Sequence, residues 1–138
     1  MKEITLLQPA KIVFGTGCTE QFCKDYTAMG LKRLFILTAP VIRPMLSDMV
    51  STLNGAGVET EIYDNIRQEP SVSDFKTILD VARKFGADSV LGVGGGSVLD
   101  VCKLVATLID SDQQIEDLFG IGFVNKRGKW FACMPTTS

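Results

Sequence analysis

Three consecutive glycines, Gly94, Gly95 and Gly96, separate a short apolar run from a long helical pattern, and that junction constrains the fold more than any other stretch. Val90, Leu91 and Val93 form the kind of run a buried parallel strand requires. From Val98 to Ile109 apolar residues occupy most of a helical circumference. The spacing Ser97-x-x-Asp100 predicts a capping box, with Ser97 as N-cap and Asp100 as its partner. Strand, glycine turn and helix start would together gather free backbone N–H groups and the positive end of a helix dipole at one spot. Missing Cβ atoms there let a phosphate approach closely. A tight strand-to-helix turn is the plainer use of such glycines. Three in a row cost more backbone entropy than a turn needs, so a phosphate cradle is the stronger reading.

The rest of the chain alternates strands with helices. Residues 4–7 and 11–14 are two β-prone runs, read as a hairpin or paired edge strand, followed by a turn at 14–17. A helix is predicted over 19–29, with Phe22, Tyr26 and Met29 on one face and Gly30 beyond its end. Residues 34–37 read as a buried strand that runs into Thr38, Ala39 and Pro40. A helix over 44–53 places Leu46, Met49, Val50 and Leu53 together, and residues 58–63 alternate as a strand with one solvated face. After a loop at 66–70, Ser71 and Asp74 offer capping chemistry for a helix to Phe85, its apolar face carrying Val72, Phe75, Ile78, Leu79, Ala82 and Phe85, and Gly86 ends it. Past the glycine junction come a polar break at 111–114, one turn near 116–119, a loop at 125–128 and a last strand at 130–134.

This pattern predicts an α/β fold: a mostly parallel sheet with helices on both faces, in one domain spanning residues 1–138. Ligands of such sheets lie beyond the carboxyl ends of the strands. Thr38-Ala39-Pro40, Gly94–Ser97 and Pro135–Ser138 all follow predicted strands, so they are expected to line one crevice.

Composition removes several classes of function. A net charge of −2 without a basic run argues against nucleic-acid binding, and no apolar run reaches membrane-spanning length. The first residues lack a signal-peptide core, which gives the expectation of a cytoplasmic protein. With no histidine in the chain, a His-based triad, His-metal site or His general base is excluded within these residues. Cys18, Cys23, Cys102 and Cys133 show no Cys-x-x-Cys spacing and read as reduced structural thiols.

The junction also departs from the usual dinucleotide fingerprint. There the glycines follow the first strand, and an acidic ribose ligand stands about twenty residues on. Here they come late, and Asp110 and Asp112 lie in a polar break.

Taken together, these stretches resemble the iron-containing (group III) alcohol dehydrogenases. Lys11-Ile-Val-Phe-Gly15 looks like that family's opening strand and Leu37-Thr-Ala-Pro40 like its adenosine-side strand end. Glu69-Pro-Ser71 resembles its short loop motif, residues 94–103 its Gly-Gly-Gly-Ser-x-x-Asp-x-x-Lys signature, and Pro135-Thr-Thr-Ser138 the start of its Pro-Thr-Thr-x-Gly-Thr motif. The resemblance implies a Rossmann-like N-terminal NAD(P)-binding domain whose helical partner domain, with its divalent iron or zinc held by Asp and His, is absent from this chain. It implies hydride transfer between NAD or NADP and a small alcohol or aldehyde, with homo-oligomerisation of the full-length enzyme and no catalytic residue or metal ligand in these 138 residues. The piece alone is expected to be inactive.

By the same resemblance Gly95, Gly96 and Ser97 would hold the pyrophosphate. Asp100 divides between capping and orienting the cofactor, Thr38, Ala39 and Pro40 lie on the adenosine side, Glu69 counts among the cofactor-binding residues, and Thr136 and Thr137 lie beside the cofactor. NAD-preferring members commonly carry Asp where this chain has Ala39. Ala39 neither accepts ribose hydrogen bonds nor repels a 2′-phosphate, so NADP is expected to be accepted. A glycerol dehydrogenase or dehydroquinate synthase relative, and a stand-alone non-catalytic nucleotide-binding module, remain alternatives. The Gly-Gly-Gly-Ser and Pro-Thr-Thr combination favours the alcohol dehydrogenases over the first of these.

Overall fold

The computed structural model describes residues 18–66, 70–110 and 128–136. Its elements run in the order α1 (Cys18–Ala28), β1 (Arg33–Thr38), a 3-10 turn at Arg43–Leu46 that leads into α2 (Ser47–Gly55), β2 (Glu59–Tyr63), α3 (Val72–Phe85), β3 (Ser89–Gly94), α4 (Gly96–Leu108) and β4 (Trp130–Pro135). The four strands form one parallel sheet in the order β2-β1-β3-β4. The predicted hairpin at 4–14, the turn at 14–17, the polar break and turn within 111–119, and Glu69 and Thr137 lie outside the described residues.

β1 and β3 are continuous apolar runs because both faces of the sheet are covered. Alternate residues divide between two cores. Phe35, Leu37 and Val90 pack with Phe75, Ile78 and Leu79 of α3 and Val101, Cys102 and Val105 of α4. On the opposite face Leu34, Ile36, Leu91 and Val93 pack with Cys23 and Tyr26 of α1 and Met49 and Leu53 of α2. Full burial of each large side chain contributes about 1.5–3 kcal/mol, so this central pair of strands carries much of the folding free energy. At the edge, β2 keeps the predicted solvated face, with Glu59 and Glu61 exposed. One close approach needs a glycine: a Cβ on Gly92 would lie 2.7 Å from the Cys102 Cβ, so α4 sits directly on β3 there.

Helix ends agree with the sequence at α3 and differ elsewhere. Ser71 Oγ accepts from the Asp74 amide at 3.0 Å and Asp74 Oδ2 accepts from the Ser71 amide at 3.0 Å, completing a capping box. Gly86, at φ 77°, turns the chain out of that helix. Val72 is exposed because it is the first helical residue and precedes the turn that meets the sheet. Met29 is exposed too: α1 stops at Ala28 and buries Cys23 with Tyr26 instead. The helix expected to begin at 44 starts as a 3-10 turn, with Pro44 in its first positions, and becomes α-helical at Ser47.

The amino ends of the strands are tied together by side chains. Asp88 accepts from the Lys32 amide at 2.8 Å, the Arg33 amide at 3.1 Å and the Ser89 hydroxyl at 2.7 Å. With the Ser89 hydroxyl proton directed at Asp88, Ser89 Oγ is left to accept from the buried Tyr26 hydroxyl at 2.5 Å. Burial, foremost, pushes the Tyr26 phenol up to about 12, and the nearby Asp88 charge adds to the rise. Arg33 donates to the last carbonyl of α3, that of Phe85, lies 4.5 Å over the Phe85 ring and pairs with Glu59. Arg83 does the same for α4, donating to the Leu108 carbonyl at 2.8 Å and the Ile109 carbonyl at 3.0 Å.

Candidate functional site

The sheet order reverses between β1 and β3. From β1 the chain moves outward to β2, then crosses back to begin β3 on the other side. A parallel sheet opens a crevice at that point, beyond the carboxyl ends of the two strands. Register places Thr38 beside Val93, Val93 beside Met134, and Gly94 beside Pro135, so the described strand ends that open the three stretches singled out by sequence lie level along one edge.

Each has a definite place. Thr38 is fully buried, and its hydroxyl donates to the Val93 carbonyl at 2.8 Å, bridging the switch point. Ala39 is half-buried, and its carbonyl accepts from the amides of Ile42 at 3.0 Å and Arg43 at 3.2 Å, turning the chain away past exposed Pro40. On the other side the Thr136 amide donates to the Gly94 carbonyl at 3.1 Å, which fixes the exposed Thr136 next to the glycine turn.

The three glycines do different things. Gly94 has φ 156°, and a Cβ there would sit 2.9 Å from a Val98 methyl, so the fold itself requires glycine. Gly95 is the N-cap of α4, in extended conformation at φ −84° and ψ −171°. Gly96 is the first helical residue, and a Cβ added to it would meet nothing within 4 Å. Packing inside the described residues gives Gly96 no reason to be glycine.

The predicted Ser97–Asp100 capping box does not form. Gly95 caps the helix without a side-chain hydrogen bond, which makes Ser97 the second residue of α4 and Asp100 the fifth, exposed to solvent. Ser71 and Ser97 share the Ser-x-x-Asp spacing, but Ser71 follows a proline and Ser97 follows glycines, which let the helix begin one residue before the serine. The helix's first intrahelical bond runs from the Leu99 amide to the Gly95 carbonyl at 3.1 Å, so the amides of Gly96, Ser97 and Val98 have no helical acceptor upstream. The first turn of α4 carries no acidic residue to offset the dipole. The arrangement is suited to an anion.

Two features escaped the sequence reading. Beside the end of β1, Arg43 donates to Asp64 Oδ2 at 2.6 Å; since Leu37 pairs with Tyr63, the next residue, Asp64, stands level with Thr38. Beneath the glycine turn, the free thiols of Cys102 and Cys133 lie in one core cluster, and the Cys102 thiol donates to the Ala132 carbonyl at 3.5 Å. Their mutual hydrogen bond, then burial, holds the Cys102 thiol well above its usual range. That same bond, helped by the Lys103 charge, pulls Cys133 down despite partial burial. Neither was visible in sequence, because both pairs join segments from different elements.

Among the described residues no group of three or more His, Cys, Asp or Glu is placed to hold a metal ion, and no helix is long and apolar enough to cross a membrane.

Comparison with known proteins matches residues 9–138 to the family model described as iron-containing alcohol dehydrogenase. The chain belongs to this family. Sulfoacetaldehyde reductase of Bilophila wadsworthia is 31% identical over 130 residues, covering 93% of this chain and 34% of the relative. Among solved structures, NADH-dependent butanol dehydrogenase A of Thermotoga maritima superposes with a TM-score of 0.84 at 28% identity, over 100% of this chain and 35% of that one. Sulfoacetaldehyde reductase of Bifidobacterium kashiwanohense, solved in complex with NAD+, gives a TM-score of 0.82 at 26% identity, over 97% of this chain and 36% of that one. The chain therefore spans about a third of the length of these relatives.

Proposed function

We propose that residues 1–138 are the NAD(P)-binding domain of an iron-containing alcohol dehydrogenase that transfers a hydride between nicotinamide cofactor and a small alcohol or aldehyde. The observation that carries this reading is the open space at Gly96, at the start of α4 and on the switch point of the sheet. The residues present fit a dinucleotide. Backbone amides of Gly95, Gly96 and Ser97 and the Ser97 hydroxyl hold the pyrophosphate at the positive end of the helix. Thr38 sets the spacing of β1 and β3 through its bond to Val93, and Ala39 and Pro40 border the adenosine side; Glu69 is assigned to the cofactor by the family resemblance alone. Thr136 lines the far wall beside the cofactor, and Thr137 is assigned to the cofactor by the family resemblance alone. Asp100, freed from capping, stands one turn above the cradle and orients the bound cofactor.

When bound, NAD(P) supplies or accepts the hydride, and a divalent metal held by residues outside this chain polarises the substrate oxygen. What this chain contributes is binding and orientation. The absent carboxylate at Ala39 removes the repulsion that would exclude a 2′-phosphate, so NADP is accepted. Calorimetric titration of the chain with NAD, NADP and flavin mononucleotide tests the assignment. Saturable binding of a nicotinamide dinucleotide, without flavin binding, supports it; binding of flavin alone, or of none of the three, refutes it.

A further inference from the structure

In a doubly wound sheet the adenosine half of a dinucleotide lies over the strand adjacent to the one that carries the glycine turn. Here the glycines follow β3, which lies between β1 and β4, and the dinucleotide reading given above puts the adenosine side at the end of β1, at Thr38 and the Ala39 that follows it. That end offers the ribose no carboxylate of its own. It does offer a cation. The Arg43 amide bonds the Ala39 carbonyl at 3.2 Å, so the Arg43 side chain springs from the first turn after the strand. Its guanidinium is held by Asp64, which follows β2 and stands level with Thr38.

We propose that Arg43 receives the 2′-phosphate of NADP, and that Asp64 positions its guanidinium to do so. The inference rests on the dinucleotide reading given above and adds to it the residue that decides between the two cofactors. An ion pair with side chains 51% and 35% exposed contributes little to stability, so folding alone gives it slight purpose. Its physical effect is to hold a long, rotamer-rich side chain in one place beside the strand end. A guanidinium has five N–H donors, and the Asp64 bond engages one of them. The remaining fork matches the geometry of a phosphate, and the pairing already offsets the charge of Asp64, which would otherwise repel it. Ala39 completes the arrangement because its methyl side chain carries no charge.

The test is titration of the whole chain and its variants with NADP and NAD in parallel, with thermal melting to show that each variant is folded. Arg43→Leu is expected to weaken NADP by about tenfold or more, the loss of one charge-assisted contact, while NAD changes by less than about twofold. Arg43→Lys is expected to recover only part of the NADP affinity, because an ammonium cannot fork. Asp64→Ala, which removes the acceptor that holds the guanidinium, is expected to weaken NADP by about threefold with NAD unchanged, and Asp64→Asn, which retains an acceptor, to restore it; full NADP affinity in Asp64→Ala overturns the positioning role of Asp64. Equal weakening of both cofactors by Arg43→Leu, or no weakening of either, overturns the role of Arg43 while leaving the dinucleotide site standing. If the unaltered chain binds neither cofactor, the site reading and this inference fall together.

Discussion

The two ends of the sheet are built on opposite principles. At the amino ends, side chains satisfy the backbone: Asp88 gathers two amides and a hydroxyl, Tyr26 backs Ser89, and Arg33 and Arg83 close the carboxyl termini of α3 and α4. At the carboxyl ends, small residues and backbone groups do the work, and the first turn of α4 keeps its amides unspent by any cap. A polar group already satisfied internally has little to give a ligand; one left to solvent can exchange water for phosphate. One end of the molecule thus holds the fold together, and the other is left available for binding.

This division is breakable from either side, and the largest effect is expected at Asp88. Asp88→Ala leaves the Lys32 and Arg33 amides and the Ser89 hydroxyl without their acceptor, and should lower stability in urea by about 2–3 kcal/mol. Dinucleotide affinity in that variant, measured below its melting transition, should stay unchanged. A smaller effect is expected from Tyr26→Phe, which removes one buried hydroxyl bond for about 1 kcal/mol. Tyr26 also sets a pH dependence. Its phenol is raised in the fold, from the ordinary 10 to about 12, so folding favours the protonated form. Its contribution is fully present below pH 10 and is lost as pH rises toward 12. Urea titrations across that window should show the decline in the unaltered chain and a flatter profile in Tyr26→Phe.

The smallest effects separate the two Ser-x-x-Asp sequences. Ser71→Ala should cost about 1 kcal/mol, because its hydroxyl caps α3, whereas Ser97→Ala should leave stability within about 0.5 kcal/mol and weaken dinucleotide binding instead. Equal stability losses in the two variants would erase the distinction between a capping serine and a ligand-facing one.

That pair also marks where sequence reading succeeds and where it stops. Local signals were readable: the apolar runs of β1 and β3, the capping box of α3, the glycine end at Gly86 and the helical period of α4 each depend on residues a few positions apart. The start of α4 was misplaced because the same four-residue spacing has two outcomes, decided by whether proline or glycine precedes it. Contacts between distant segments were not readable at all. Tyr26 and Asp88 stand 62 positions apart, and Arg43 and Asp64 are 21 apart on different elements. The crevice was anticipated from three strand ends, yet only the parallel register of β1, β3 and β4 brings those ends level. What Thr38 does with its hydroxyl, bridging to Val93 at the switch point, likewise needed the strand order.

Gly96 offers the sharpest single trial, because its Cβ position is empty and its conformation is ordinary helix. Gly96→Val should leave the melting temperature within a few degrees of the unaltered chain, since nothing in the fold lies within 4 Å of the added Cβ. Calorimetric titration of the two proteins with NAD and NADP should show affinity falling by about a hundredfold, close to 2.7 kcal/mol, as the side chain fills the pyrophosphate cradle. Unchanged affinity in a folded Gly96→Val protein would contradict the account and return the glycine turn to a purely structural role.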